Sequence, residues 1–430
     1  MKILVVGSGA REHALVWKLA AEPDVSRVIC APGNPGISRL ADCRPVEAGD
    51  VDGLLALAEA ERVDLTVVGP ELPLSRGLVD RFMAAGRLVF GPTAAAAELE
   101  TSKIFAKQFC DRHQVPTARF RVCASPDEAL PAVRSGEFGF PVVVKADGLA
   151  AGKGVVIAAD QAEAEAAILA AMVERRFGDA GARLVIEEYL QGQELSFFVV
   201  ADGRCAVPLL SAQDHKRAFD GDRGPNTGGM GAFAPSPLMT PDLHKRIMRQ
   251  VIEPVLDGMG AEDRSFCGFL YAGLILTDEG PKVIEFNARL GDPEAQVVLP
   301  MIDEPILPLL AAAVTRQLRR TGCRIRHEPH VGVVLASGGY PGAYDVGKPI
   351  AGVPDAEALD GVLVFHAGTA VCDGRLVTHG GRVLTVVGRG AGYREAIATA
   401  YAGVAKIAFD GMHLRHDIGR KALAAASPAD

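Results

Sequence analysis

Paired cysteines are missing from this sequence: its eight cysteines stand at positions 30, 43, 110, 123, 205, 267, 323 and 372, with no CxxC and no cysteine–histidine cluster at metal-binding spacing. That scatter excludes a disulfide framework and a structural zinc site, and fits reduced thiols of a cytosolic protein. Long apolar runs are missing too. The opening MKILVV stops at Gly7 and meets Arg11 and Glu12, unlike a signal peptide, and no stretch reaches the roughly 18 apolar residues of a membrane span. The formal net charge of -8 gives no pull toward nucleic acid or an anionic membrane, which leaves small molecules as the expected partners. Tandem repeats are absent, and only the tail AAASPAD reads as disordered.

What is present is ample core material. At 430 residues, 49% hydrophobic and 23% charged, the chain can bury several cores and is expected to form two to four domains. The first hundred residues alternate short β-branched runs (Ile3 to Val6, Val28 to Cys30, Leu65 to Val68, Leu88 to Phe90) with helical segments, the rhythm of a doubly wound parallel sheet. From about Thr101 the pattern becomes α+β: a helix through Ile104 to His113, strands at Val142 to Lys145, Val155 to Ile157, Arg183 to Glu187 and Leu195 to Val200, and an alanine-rich helix near 161–173. A hairpin turn is expected at Asp202-Gly203. Between Ser211 and Pro237 the chain is too polar and turn-rich for a regular element, and reads as a functional loop. A helix from Leu309 to Arg326, strands at Val331 to Ala336, Val362 to Ala367 and Val383 to Val387, and a closing helix over 392–409 complete the chain.

Five segments carry chemistry. Gly7-Ser8-Gly9-Ala10-Arg11-Glu12 joins a strand to a helix and reads as an anion site; Glu12 in place of a third glycine, and Cys30 to Gly36 where a ribose-binding acid belongs, argue against a dinucleotide fold. Asp147 to Val155 is a Gly-rich hairpin, not a Walker A loop, in which Gly148, Gly152 and Gly154 admit polyphosphate while Lys145 and Lys153 neutralise it. Glu187 and Glu188 end an apolar strand on opposite faces, so either both are solvated or one points into a cleft. Glu285 and Asn287 lie two apart on a strand, a spacing that suits Mg²⁺ on nucleotide phosphates, and Arg289 continues that face with a fork for carboxylate or phosphate. The segment from Gln213 to Gly231 clusters cations, acids and amides that can close over an anion, with His215 as a hydrogen-bonding partner rather than a base.

Together these segments resemble the ATP-grasp family. GSGAREHAL at Gly7 to Leu15, GPELPL at Gly69 to Leu74, QDHKRAFDGDRGPNTGGMGAF at Gln213 to Phe233 and RLGDPEAQ at Arg289 to Gln296 are similar to the hallmarks of its phosphoribosylamine-glycine ligases, over nearly the whole chain. The resemblance implies an N-terminal doubly wound domain at 1–102, an ATP-grasp domain of two α+β lobes at 103–325 with a small lid lobe at about 120–190, and a mainly-β C-terminal domain with a closing helix at 326–430. It implies ligation of glycine to phosphoribosylamine with ATP, through a glycyl phosphate, in a cytoplasmic monomer or homodimer. For residues it implies Lys103, Lys145, Gly148, Gly152, Lys153 and Gly154 on the phosphates, and Glu187, Tyr189, Leu190 and Glu194 around adenosine. Glu285 and Asn287 are implied on Mg²⁺ or Mn²⁺, Arg289, Asp214 and Lys216 as catalytic, and Asn226, Thr227 and Gly229 on substrate. Gly9, Glu12, Asn34 and Glu71 are implied on phosphoribosylamine. No Ser/His/Asp or Cys/His arrangement is needed, since the chemistry forms no covalent enzyme intermediate. Other ATP-grasp ligases, an NAD-dependent oxidoreductase and a non-catalytic nucleotide-binding module are the rival readings.

Overall fold

The computed structural model of the chain describes residues 1–148, 154–319 and 323–426. Its N-terminal part is a parallel sheet of β1 (Lys2–Gly7), β2 (Arg27–Pro32), β3 (Asp42–Cys43), β4 (Leu65–Val68) and β5 (Val89–Phe90) in the order β3-β2-β1-β4-β5. Ile3, Leu4, Val5 and Val6 are all fully buried, as a sheet covered on both faces requires.

The small lobe is an antiparallel sheet of β6 (Phe120–Cys123), β7 (Val142–Ala146), β8 (Val155–Ala158) and β9 (Leu184–Glu188), ordered β6-β9-β7-β8. Two helices, Pro126–Arg134 and Gln161–Met172, cover it with Ala129, Ala132, Ala164 and Ile168. Asp160 starts the second by accepting from the Glu163 amide at 2.9 Å.

The remaining strands are β10 (Gln193–Asp202), β11 (Ala206–Asp214), β12 (Arg217–Phe219), β13 (Arg223–Asn226), β14 (Gly231–Ala234), β15 (Cys267–Thr277), β16 (Gly280–Asn287), β17 (His330–Ala336), β18 (Val362–His366), β19 (Thr369–Cys372), β20 (Arg375–Thr378) and β21 (Arg382–Arg389). Eight of them form one sheet, β16-β15-β10-β11-β14-β17-β21-β18. The sheet therefore runs without a break from the large lobe into the C-terminal part, and β14 is the seam, bonded to β11 on one side and β17 on the other.

Four expectations are corrected. The stretch Ser211 to Pro237 is not an irregular loop: it finishes β11, forms the β12–β13 hairpin and supplies β14. The helix expected from Leu309 to Arg326 is Leu307–Val314; Arg316, at φ 55, takes the left-handed conformation that ends it. The closing helix is shorter, Tyr393–Val404, and a further helix, Arg420–Ala426, takes up Ala424 to Ala426 of the tail that read as disordered, the rest of which lies outside the described residues. The turn at Asp202-Gly203 is present, with Asp202 Oδ1 accepting from the amides of Arg204 at 2.9 Å and Cys205 at 2.7 Å.

Candidate active site

A cleft of about 1240 Å³ opens where the small lobe, the large lobe and the N-terminal sheet meet. One wall carries three lysines. The helix Lys103–Arg112 turns Lys103 and Lys107 to the same side because they are four residues apart. Lys103 Nζ donates to the Gly148 carbonyl at 3.0 Å, at the edge of the Gly-rich hairpin. Lys107 and Lys145 both pair with Glu187, which is buried on β9. Burial works to raise the Glu187 carboxyl, but Lys145 and then Lys107 more than offset this and hold it below the usual range. Glu188, on the opposite face, pairs with Arg119 at 2.7 Å.

Lys145 also reaches across to the large lobe. In the β15–β16 ladder Gly273 faces Glu285 and Leu274 faces Val283, so Ile284 is an extra residue in a bulge. The carbonyl of Ile284 accepts from Lys145 Nζ at 3.0 Å. Beside it, Thr117 Oγ1 accepts from Lys107 Nζ at 2.7 Å and donates to the Val283 carbonyl at 2.7 Å. The lysines thus sit where the two lobes are joined.

Past the bulge, Glu285 and Asn287 share the face of β16 that looks into the cleft. The Asn287 amide is oriented with its nitrogen toward the Phe286 carbonyl and Glu100 Oε1, each 3.1 Å away. Among the described residues no group of three His, Cys, Asp or Glu side chains could hold an ion alone. One carboxylate and one amide oxygen fit Mg²⁺ or Mn²⁺ as a partial set that phosphate oxygens would complete.

Arg289 then crosses to the N-terminal part. Its guanidinium meets Glu100 Oε1 at 2.8 Å and Glu71 Oε2 at 3.2 Å. Burial works to raise the Glu71 carboxyl, yet Arg289 and Arg11 together hold it down at about 2. Arg11, on the cleft wall, is aimed by Glu12, whose Oε1 receives Arg11 Nε at 2.6 Å while its Oε2 receives the Gly9 amide at 2.6 Å. The Gly9 amide, expected on an anion, is taken by Glu12, the third residue of the helix that starts at Ala10. Asn34 is equally engaged, donating to the carbonyls of Ser8 and His366 at 2.8 Å each and accepting from Gly36 and Ile37 at 2.9 Å each.

On the opposite wall Lys216 Nζ is gripped by both oxygens of Asp214, at 2.9 and 2.8 Å, with Glu194 at 3.4 Å. Asn226 and Thr227 line the cleft; Gly229, at φ 111, does not, and a Cβ there would stand 2.4 Å from Pro293 Cδ. Arg382 and Tyr340 from the C-terminal part hold this loop, through Arg382 to the Gly228 carbonyl at 2.7 Å and through the Gly228 amide to Tyr340 at 2.9 Å. His215 is corrected as a hydrogen-bonding partner. Its ring is buried with neither nitrogen bonded among the described residues, and burial depresses it to about 4.

The cleft thus gathers Lys103, Lys145, Gly148, Gly154, Glu187, Tyr189, Leu190, Glu194, Asp214, Lys216, Asn226, Thr227, Glu285, Asn287, Arg289 and Glu71. Gly9, Glu12, Asn34 and Gly229 stand behind its wall, and Gly152 and Lys153 lie outside the described residues. Sequence reading missed Lys107, Glu100, Tyr271, Glu294 and Arg382. The spacing of Lys103 and Lys107 was a usable signal for the first; Glu100 and Arg382 come from distant segments and carried none.

Comparison with known families matches residues 1–100 to the N domain of phosphoribosylglycinamide synthetase, 101–295 to its ATP-grasp domain and 330–421 to its C domain. The chain is 52% identical to phosphoribosylamine–glycine ligase of Xanthomonas axonopodis pv. citri, over 99% of this chain and 98% of that one. It is 49% identical to the Pseudomonas aeruginosa protein of the same name, over 99% of both. The crystal structure of phosphoribosylamine–glycine ligase from Thermotoga maritima superimposes with a TM-score of 0.84 at 36% identity, covering 97% of this chain and 100% of that one. The biotin carboxylase domain of 2-oxoglutarate carboxylase from Hydrogenobacter thermophilus, solved with MgADP and bicarbonate, has a TM-score of 0.73 at 18% identity over 96% and 91%, a likeness of fold alone.

Proposed function

This chain belongs to the phosphoribosylglycinamide synthetase family, and on that premise we propose that it joins glycine to phosphoribosylamine through a glycyl phosphate formed in the cleft. The reaction is the ATP-dependent ligation of purine biosynthesis. The observation that carries the proposal is the convergence of Lys103, Lys107 and Lys145, the Glu285–Asn287 pair and Arg289 on one cleft.

ATP lies with its phosphates toward Lys103, Lys145 and the hairpin 148–154, which acts as lid with Gly148, Gly152, Lys153 and Gly154. Glu187, Tyr189, Leu190 and Glu194 border the adenosine. Glu285 and Asn287 would hold Mg²⁺ or Mn²⁺, which when bound neutralises charge on the transferring phosphoryl group. The glycine carboxylate, oriented by Arg289 and the Asp214–Lys216 pair, attacks the γ-phosphorus, and the lysines face the charge that develops. The amine of phosphoribosylamine then attacks the acyl carbon and phosphate departs, leaving glycinamide ribonucleotide. Arg11, Glu71, Asn226 and Thr227 touch phosphoribosylamine; Gly9, Glu12, Asn34 and Gly229 serve it from behind, through the contacts that aim Arg11 and fix the loops. Most of the rate then comes from positioning and from excluding water from the acyl phosphate. We place the enzyme in the cytoplasm as a monomer or homodimer.

The test is ADP release from ATP with glycine and freshly generated phosphoribosylamine, each omitted in turn. Release that needs both, matched by glycinamide ribonucleotide, is the expected result. Release driven by glycine alone at the full rate, with no ribonucleotide formed, would discard the second step.

A further inference from the structure

The second step of this ligation, on which the inference rests, leaves a proton to be placed. An amine that attacks an acyl phosphate becomes a cation as the C–N bond forms, and must lose a proton for the amide to result. Glu294 stands on the cleft wall with a carboxylate free to take it. It is 4% exposed, and its Oε1 accepts from Ser196 Oγ at 3.1 Å, which is itself 3.2 Å from the Tyr271 hydroxyl. Gly291 leaves the carboxylate room: a Cβ at that position would lie 2.5 Å from Glu294 Oε2. The other acids of the cleft wall form ion pairs with Lys or Arg, save Glu285 at the metal position. Of the described acids on the cleft wall, Glu294 alone remains as a carboxylate with only a neutral hydrogen-bond partner and no assigned ligand.

We propose that Glu294 is the base that accepts the proton from the attacking nitrogen of phosphoribosylamine. The nitrogen lone pair forms the C–N bond, the N–H proton passes to a Glu294 oxygen, and the acyl C–O bond breaks with its electron pair leaving on phosphate. Release of product returns the proton to solvent. The groups facing Glu294 are Asp214, Lys216, Tyr271, Arg289 and Arg382. Burial first, and the Asp214 carboxylate second, push its carboxyl up to about 7, against the pull of Lys216 and the Ser196 hydroxyl, which suits a base working near neutral pH.

Single-turnover reactions of wild type and Glu294→Gln, quenched into borohydride to reduce any glycyl phosphate to aminoethanol, separate the two steps. Glu294→Gln should slow ribonucleotide formation by about a hundredfold or more while trapped aminoethanol accumulates. Ser196→Ala, which keeps the carboxylate but removes its donor, should move the acidic limb of the kcat–pH profile upward. Ribonucleotide formation within about threefold of wild type in Glu294→Gln, loss of rate without accumulated acyl phosphate, or an unmoved limb in Ser196→Ala would each overturn the assignment. A wild type that forms neither acyl phosphate nor ribonucleotide would sink the ligase reading itself, and this inference with it.

Discussion

Neutralising Glu187 perturbs the point where the two lobes of the cleft are tied. Its side chain is 3% exposed and serves Lys107 and Lys145, which are 6% and 10% exposed. Glu187→Gln keeps the shape and removes the only carboxylate paired with either lysine among the described residues, leaving two buried cations side by side. Breaking such a pair costs about 3 to 5 kcal/mol. The lower end applies, because each lysine keeps one neutral acceptor: Thr117 Oγ1 at 2.7 Å for Lys107 and the Ile284 carbonyl at 3.0 Å for Lys145. The loss should appear locally, as faster hydrogen exchange in the β7–β9 ladder by a factor on the order of 10², rather than as a uniform change. Adding Lys107→Met to Glu187→Gln removes one stranded charge and should return at least about 1 kcal/mol as a coupling energy. Exchange within about threefold of wild type in Glu187→Gln, or strictly additive losses in the double variant, would refute the assignment of this carboxylate as the counter-ion of both lysines.

Glu285→Ala should abolish turnover while leaving exchange in β15 and β16 unchanged; turnover that persists at limiting metal removes Glu285 from the metal site. Arg415, fully buried, holds Asp222 at 2.8 Å and Asp417 at 2.7 Å, so Arg415→Ala should cost about 2 kcal/mol and expose the β12–β13 hairpin to proteolysis. An uncut hairpin with an unchanged KM for both substrates would contradict it. Five histidines are depressed by burial: His13 to about 3, His215, His330 and His366 to about 4, and His244 in the same direction. Their folded values lie below the unfolded one, so the stability they contribute is present above pH ~6.5 and is lost as pH falls toward 4, at about 1.4 kcal/mol per unit of depression. Urea midpoints measured between pH 7.5 and 4.5 should show this decline, and His215→Phe should make it shallower; an equal slope in that variant would be incompatible with the burial of a neutral His215.

Local pattern made some of this legible and long-range pairing hid the rest. The parallel strands of the N-terminal sheet announce themselves because both faces are buried, so β-branched residues run without interruption. The alternation of Glu285 and Asn287 survives into the structure because strand geometry alone fixes it. β14 was invisible for the opposite reason: Gly231 to Ala234 is a short run with no alternation, and becomes a central strand only through the partners that β11 and β17 supply. The bulge that frees the Ile284 carbonyl is likewise a property of the β15–β16 register rather than of either sequence. Glu12 adds what the motif itself does not display. A strand–glycine–helix segment signals an anion site, but a carboxylate three residues into the helix can occupy it from within.

The clamp on the β12–β13 hairpin bears on how the cleft closes. The hairpin is pinned from several sides: Arg415 to Asp222, Lys421 to Asp222 at 2.7 Å, the Gly221 amide to Asp417 at 2.8 Å, and the His416 amide to Asp220 at 2.7 Å. Its continuation through Gly228 is held by Arg382, which also grips Asp292 in the segment after β16 at 3.0 Å. A segment with that many partners is part of the C-terminal framework and cannot swing over a substrate by itself. The small lobe is tied to β16 at a separate place. Lys145 Nζ donates to the Ile284 carbonyl at 3.0 Å, Thr117 Oγ1 to the Val283 carbonyl at 2.7 Å, and the Val283 amide to the Pro116 carbonyl at 2.7 Å. In the proposed reading, Lys145 takes a phosphate of ATP only by sharing or leaving the Ile284 carbonyl, so loss of that bond is the expected mark of nucleotide binding.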